Sequence, residues 1–170
     1  MIVLLFLILQ LFFAGFFLFL CLAFVTGGPF VPSSKRSVET MIRLAKLRPG
    51  QTIIDAGSGD GRVLFEAAKQ GANSVGLEIN PYLVLYTRLR TFFGPYRGSV
   101  TVLWQNLWSA DLHQADVVFV YLIPWKMDVL AEKLKRELKP GSLVISNSFM
   151  FPGWKIVRED RDHHIYVFKI

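Results

Sequence analysis

The sequence predicts a doubly wound α/β domain, a parallel sheet wrapped by helices, preceded by one strongly apolar helix. Three observations carry this. From residue 52 onward, apolar runs of strand length alternate with segments of helical periodicity. A glycine-rich turn joins the first such strand to the helix after it. Met1 to Val25 carries no charge, which sets it apart within a 170-residue chain that is 52% hydrophobic.

In Met1–Val25 the one strongly polar residue is Gln10. As a helix this stretch is about 37 Å long, enough to cross a hydrocarbon core of about 30 Å, so residues 1–26 are expected to form a transmembrane helix. A cleaved secretory signal needs a basic start and an apolar core of about 7–15 residues, and neither is present. Cys21 follows Leu18-Phe19-Leu20, too bulky for a lipoprotein cleavage site, and as the single cysteine it excludes an intrachain disulfide. The first charges, Lys35, Arg36, Arg43, Lys46 and Arg48, all lie after the span. That positive flank assigns the remainder to the cytoplasmic side of a single-pass membrane protein. The net charge of +6 suits either anionic headgroups or nucleic acid, and beside such an apolar segment the membrane is the expected partner, with no nucleic acid.

Residues 27–36 read as a linker from Gly27-Gly28-Pro29 and Pro32-Ser33-Ser34. The domain is expected over 37–170, enough for one core. Its first helix places Val38, Met41, Ile42 and Ala45 on one face and stops at Pro49-Gly50. Thr52 to Ala56 is a strand, and Gly57, Gly59 and Gly61 let the backbone turn and approach a ligand before the helix Val63–Ala68, which ends at Gly71. The spacing G-x-G-x-G differs from the dinucleotide pattern. Asp55 before the loop and Asp60 within it repel a pyrophosphate and suit a ligand bearing ammonium and sulfonium charge. Ser74–Glu78 is the second strand, and its terminal carboxylate is placed to accept ribose hydroxyls.

Asn80 caps a helix that has Pro81 at its first position and runs to Phe93-Gly94. Ser99–Trp104 is the third strand, and Asp116–Tyr121 is apolar enough for a central strand covered on both faces. Met127, Leu130, Ala131, Leu134 and Leu138 form one helical face, with Lys133-Leu-Lys-Arg-Glu137 read as its exposed side. Leu143–Ile145 is the fifth strand, and 155–159 with 165–170 form a terminal hairpin. His163-His164 in that hairpin lacks the partners of a metal site, so no metal is expected.

Asp55-Ala-Gly-Ser-Gly-Asp-Gly61 followed by Gly76-Leu-Glu78-Ile-Asn-Pro81 resembles the cofactor site of class I S-adenosylmethionine-dependent methyltransferases. Pro29-Phe-Val-Pro32, Asn106-Leu-Trp108, Tyr121-Leu-Ile-Pro124, Lys133 to Leu138 and Phe151-Pro-Gly-Trp154 narrow the resemblance. Together they look like the membrane-anchored protein-lysine methyltransferases that modify the ATP synthase c subunit and the adenine nucleotide translocase, in the short form of their prokaryotic relatives. The resemblance implies a Rossmann-like seven-stranded sheet with one antiparallel strand. It also implies S-adenosyl-L-methionine held by Asp55, Gly57, Ser58, Gly59, Asp60, Gly61, Glu78 and Asn106, and a lysine-bearing membrane protein as substrate. Asn106 stands where the family usually has Asp. Its carbonyl still accepts from an adenine amino group, at a cost of about 1 kcal/mol.

A lysine acceptor with a pKa of about 10.4 needs roughly 4.6 kcal/mol to be neutral at pH 7. An aromatic-lined, buried entrance lowers that cost by disfavouring the ammonium. Tyr121, Trp125, Phe149 and Trp154, at the ends of the fourth and fifth strands, are the candidates for that lining. No residue qualifies as a dedicated general base. A small-molecule or lipid methyltransferase and a non-catalytic cofactor-binding membrane module are the alternatives.

Overall fold

The computed structural model describes the backbone of residues 2–26 and 30–170 and the side chains of residues 2–17 and 30–170. Two compact units emerge, Met1–Phe30 and Val31–Ile170. The first holds helix α1, Ile2–Thr26, whose described side chains are all exposed. Among the described residues no helix is long and apolar enough to cross a membrane. The transmembrane helix expected over 1–26 is therefore not found among them; the side chains of residues 18–26, Cys21 included, and the start of the 27–36 linker lie outside what the structure describes.

The second unit includes Ser33 and Ser34, which are bonded into it. Ser34 Oγ accepts from Ser37 N at 3.0 Å and caps α2, Lys35–Ala45. The helix stops before the expected Pro49-Gly50, since Lys46 takes a left-handed conformation (φ 52°) and Arg48 to Gln51 close a turn. The order continues β1 (Thr52–Ala56), α3 (Arg62–Lys69), β2 (Asn73–Glu78), α4 (Pro81–Phe93), β3 (Val100–Trp104) and β4 (Val117–Val120). It closes with α5 (Met127–Glu137), β5 (Leu143–Asn147), β6 (Ile156–Asp160) and β7 (Ile165–Lys169).

The seven strands form one sheet in the order β3-β2-β1-β4-β5-β7-β6. Strands β1 to β5 pair in parallel, and β7 runs antiparallel to both β5 and β6. The single antiparallel strand expected from the resemblance is β7. β4 is buried along its whole length, as a central strand covered on both faces requires. One face carries Ile53, Val102, Phe119 and Ile145 against α2, α3 and Val84 of α4. The other carries Ile54, Val118 and Val144 against α5 and the stretch between β3 and β4. That stretch contains only a 3₁₀ turn at Leu107–Ser109, yet buries Leu107, Ala110, Leu112 and Ala115 in place of a helix.

This packed stretch overturns one expectation on α5. Lys133 and Glu137 are buried, not exposed. Lys133 Nζ donates to Glu137 Oε1 and Oε2 at 2.8 and 2.7 Å and to Ala110 O at 2.6 Å, so both the charge and an orphan carbonyl are satisfied. His163-His164 lies in the β6–β7 turn, outside both strands, with His163 N donating to Asp160 Oδ1 at 3.1 Å.

Candidate functional site

The parallel strands β2, β1 and β4 end together, and the glycine loop follows β1 at that edge. Open α/β sheets place their ligand crevice there. Gly57 N and Ser58 N both donate to Leu77 O, at 2.9 and 3.0 Å, which fixes the loop to the end of β2. Gly57 has φ 91°, and nothing lies within 4 Å of where its Cβ would stand. The position thus demands glycine and leaves room for a ligand against the backbone. Gly61 (φ 77°) is required for a second reason: a Cβ there would meet Thr87 Cγ2 at 2.5 Å.

Glu78, at the end of β2, is buried and holds the loop from the other side. Its Oε2 accepts from Gly59 N and its Oε1 from Asn80 N, both at 2.8 Å. Thr87 Oγ1 donates to Gly59 O at 3.1 Å, so the Gly59 residue is held at both its N–H and its C=O. Thr87 does not stand out in the sequence; the available signal is a polar residue three positions after Val84 on the inward face of α4. A carboxylate offers about four acceptor sites. Two are used here, so Glu78 keeps capacity for a ligand hydroxyl.

The two loop acids sit in opposite electrostatic settings. Asp60 Oδ1 accepts from Arg62 Nε at 2.9 Å and its Oδ2 from Arg62 Nη2 at 2.6 Å. The Arg62 guanidinium holds the Asp60 carboxyl below the usual carboxylate range. Asp55 is buried, and that burial, then the charges of Glu78 and Asp60, push its carboxyl up to about 7. Asp60 therefore serves Arg62, while Asp55 is an anion held at unfavourable potential. Arg62 also donates from Nη1 to Ser33 O, and Asn147 Nδ2 donates to Ser33 Oγ at 2.9 Å. Neither Arg62 nor Asn147 is legible as a site residue in the sequence, because their common partner lies far away along the chain. Ser58 Oγ is buried without a hydrogen-bond partner and packs where a Cβ on Gly76 would stand.

Asn106 Oδ1 accepts from Trp108 N at 3.0 Å and caps the 3₁₀ turn. One acceptor site remains on that oxygen. Tyr121 and Trp125 are exposed just beyond β4. Phe149 is half-buried against the α5-side core. Trp154 stacks on Phe151 at 4.7 Å and meets Phe168 edge-on at 5.8 Å, so its ring belongs to that core. The four aromatics are thus divided: two exposed near the sheet edge, two packed inside. Among the described residues no group of three or more His, Cys, Asp or Glu is placed to hold a metal ion.

A family model described as the ANTKMT methyltransferase domain matches residues 55–158, from Asp55 through the glycine loop to β6. The chain belongs to this methyltransferase family. A curated relative from mouse, the lysine N-methyltransferase of the ATP synthase c subunit, is 40% identical over 126 residues, covering 74% of this chain and 51% of that protein. The chain spans about half the length of the mouse and human relatives it matches. The protein-lysine N-methyltransferase of Saccharolobus islandicus is 29% identical over 157 residues and is covered over 98% of its length. A solved RNA methyltransferase from Salinibacter ruber, in complex with S-adenosyl-L-homocysteine, has 34% identity and a TM-score of 0.79, covering 82% of this chain and 94% of that one. The cofactor of the ANTKMT methyltransferase family is S-adenosyl-L-methionine, and the sheet described above is its fold.

Proposed function

We propose that this chain is an S-adenosylmethionine-dependent protein-lysine N-methyltransferase acting on a membrane-associated protein. The observation that carries the cofactor in this reading is Asp55, buried beside a glycine turn with open space over Gly57, its carboxyl pushed up to about 7. A ligand bearing positive charge relieves that electrostatic cost, whereas a pyrophosphate worsens it. The cofactor, when bound, supplies a methyl group on a sulfonium, already activated for transfer. Asp55 holds its cationic end, the spare acceptor sites of Glu78 take ribose hydroxyls, and Asn106 Oδ1 accepts from the adenine amino group. Gly57, with Ser58 and Gly59 beside it, lets the backbone approach the cofactor, Gly61 makes room for Thr87 of α4 behind the turn, and Asp60 keeps the turn in shape through Arg62. Tyr121, Trp125 and Phe149 exclude water from the entering lysine and favour its neutral amine. Orientation of that amine is the chain's main contribution to rate.

Lysine as acceptor is supported by the names of the relatives from mouse and Saccharolobus islandicus. A substrate in the membrane is supported by the relatives named for the ATP synthase c subunit and the adenine nucleotide translocase. Helix α1, with 25 residues and no charged residue, supports tethering of the domain on the cytoplasmic face, where confinement raises the local concentration of a membrane substrate. A second reading, RNA as acceptor, is favoured by the likeness to the Salinibacter ruber RNA methyltransferase together with the net charge of +6.

The test is transfer of radiolabelled methyl from S-adenosylmethionine to membranes and RNA of a host strain lacking this protein, with Glu78→Ala as control. A labelled protein band that depends on Glu78, with methyl-lysine after hydrolysis, is the expected result. Label in RNA or in lipid reassigns the acceptor. Cofactor binding without any label returns the chain to a non-catalytic binding role.

A further inference from the structure

α4 faces outward with the wrong chemistry for a solvent-exposed helix. Tyr82, Leu85, Tyr86, Leu89, Phe92 and Phe93 all lie on its exposed side, with Tyr82 78% and Phe93 80% accessible. They recur at helical spacing, opposite the buried Val84 and Thr87 that meet the sheet. A surface helix ordinarily turns such a stripe inward. On β3, the edge strand, Trp104 falls on the same face as Val100 and Val102, the face that α4 covers, and is 68% exposed. A contiguous apolar surface of this kind marks an interaction site.

Charge identifies the occupant. From Ile79 to Ala110 the chain has Arg88, Arg90 and Arg97 and no carboxylate. At about 100° per residue, Arg88 and Arg90 lie on opposite flanks of the stripe. Arg88 Nε donates to Val102 O at 2.9 Å, and Arg90 stacks over Phe65 at 4.3 Å, so both guanidinium groups are anchored at the margins while remaining exposed. Arg97 stands over Phe92 at 5.0 Å. An apolar face rich in Tyr, Phe and Trp and bordered by arginines matches the boundary between acyl chains and anionic headgroups. A second copy of the same face would bring like charges together.

We propose that the α4–β3 surface is an interfacial membrane-binding face that seats the domain on an anionic bilayer, with the six stripe residues immersed at headgroup depth and Arg88, Arg90 and Arg97 on the lipid phosphates. This contact is made by the domain itself and does not depend on α1 spanning the membrane.

The test uses the full chain carrying Cys21→Ser, with an environment-sensitive thiol dye at Phe93→Cys or, on α5, at Val129→Cys. Both sites are exposed, so labelling leaves the core intact. The protein is reconstituted with vesicles of phosphatidylcholine, with or without phosphatidylglycerol and spin-labelled lipid. Spin-labelled lipid is expected to quench the dye at 93 about threefold more in anionic than in zwitterionic vesicles, with protection from aqueous iodide, while the dye at 129 stays accessible. Four results overturn the proposal: an iodide-accessible dye at 93, equal quenching at 93 and 129, no dependence on phosphatidylglycerol, or protection that grows with the protein-to-lipid ratio. The last assigns the face to a second copy.

Discussion

Replacing Asp55 by Asn removes a charge that the cofactor-free protein holds at a loss. Its carboxyl rises from 3.8 to about 7 on folding. The folded state therefore binds more protons than the unfolded chain between those values, and stability falls as pH rises through that window. At about 1.36 kcal/mol per pH unit, the penalty reaches about 4 kcal/mol at pH 8 and stays under about 1 kcal/mol at pH 4. Asp55→Asn keeps the size of the side chain and cannot ionise. It should raise the melting temperature of the cofactor-free protein by about 10 °C at pH 8 and by little at pH 4. Cofactor affinity should move the other way. The wild type should bind S-adenosylmethionine more tightly as pH rises through 7, when the carboxylate forms, and the Asn variant should bind about tenfold more weakly without that pH dependence. Thermal unfolding of the full chain in detergent micelles at both pH values, paired with calorimetric titration of cofactor, measures both effects. Equal stabilisation at pH 4 and pH 8, or unchanged cofactor affinity, would refute the view that Asp55 is a strained anion kept for a cation.

Glu78→Gln should weaken cofactor binding in a folded protein, because an amide nitrogen then faces either Gly59 N–H or Asn80 N–H; a loss of about 1–3 kcal/mol in calorimetric affinity is expected. Gly61→Ala places a methyl 2.5 Å from Thr87 Cγ2 at a backbone φ of 77°, so a lower melting temperature is expected, and an unchanged one would show that α4 moves aside at no cost. Lys133→Met leaves the buried Glu137 carboxylate with Arg136 as its remaining ion-pair partner and Ala110 O without its donor, and should cost about 1–3 kcal/mol in urea unfolding, whereas Lys133→Met with Glu137→Leu should recover part of it.

What is legible in the sequence is local. Asn80 and Pro81 announce the start of α4, and the glycine positions with Asp55 and Glu78 announce the loop, since its chemistry is written in one strand-turn-helix and the acid of the next strand. Misreadings arise where a distant segment decides the environment. Lys133 and Glu137, four apart on a helix, look solvated until the stretch ending at Ala110 is folded over them. Trp154 near a strand end reads equally as pocket wall or core, and only the β7 residue Phe168 decides it. The outward apolar face of α4 is hidden for the opposite reason: a helix apolar on both sides gives a periodicity search no direction to report.

The grip on Ser33 bears on how this protein is to be handled at the bench. Arg62 at the start of α3 and Asn147 at the end of β5 take hold of the same residue, one by its carbonyl and the other by its hydroxyl. A recombinant fragment begun at residue 37, where composition alone places the domain, would leave Arg62 and Asn147 each without that partner and strip α2 of its cap. One begun at Val31 would keep all three bonds. Trimming six residues more is thus a perturbation of the cofactor crevice, and two preparations that differ only in their tag junction should differ in activity.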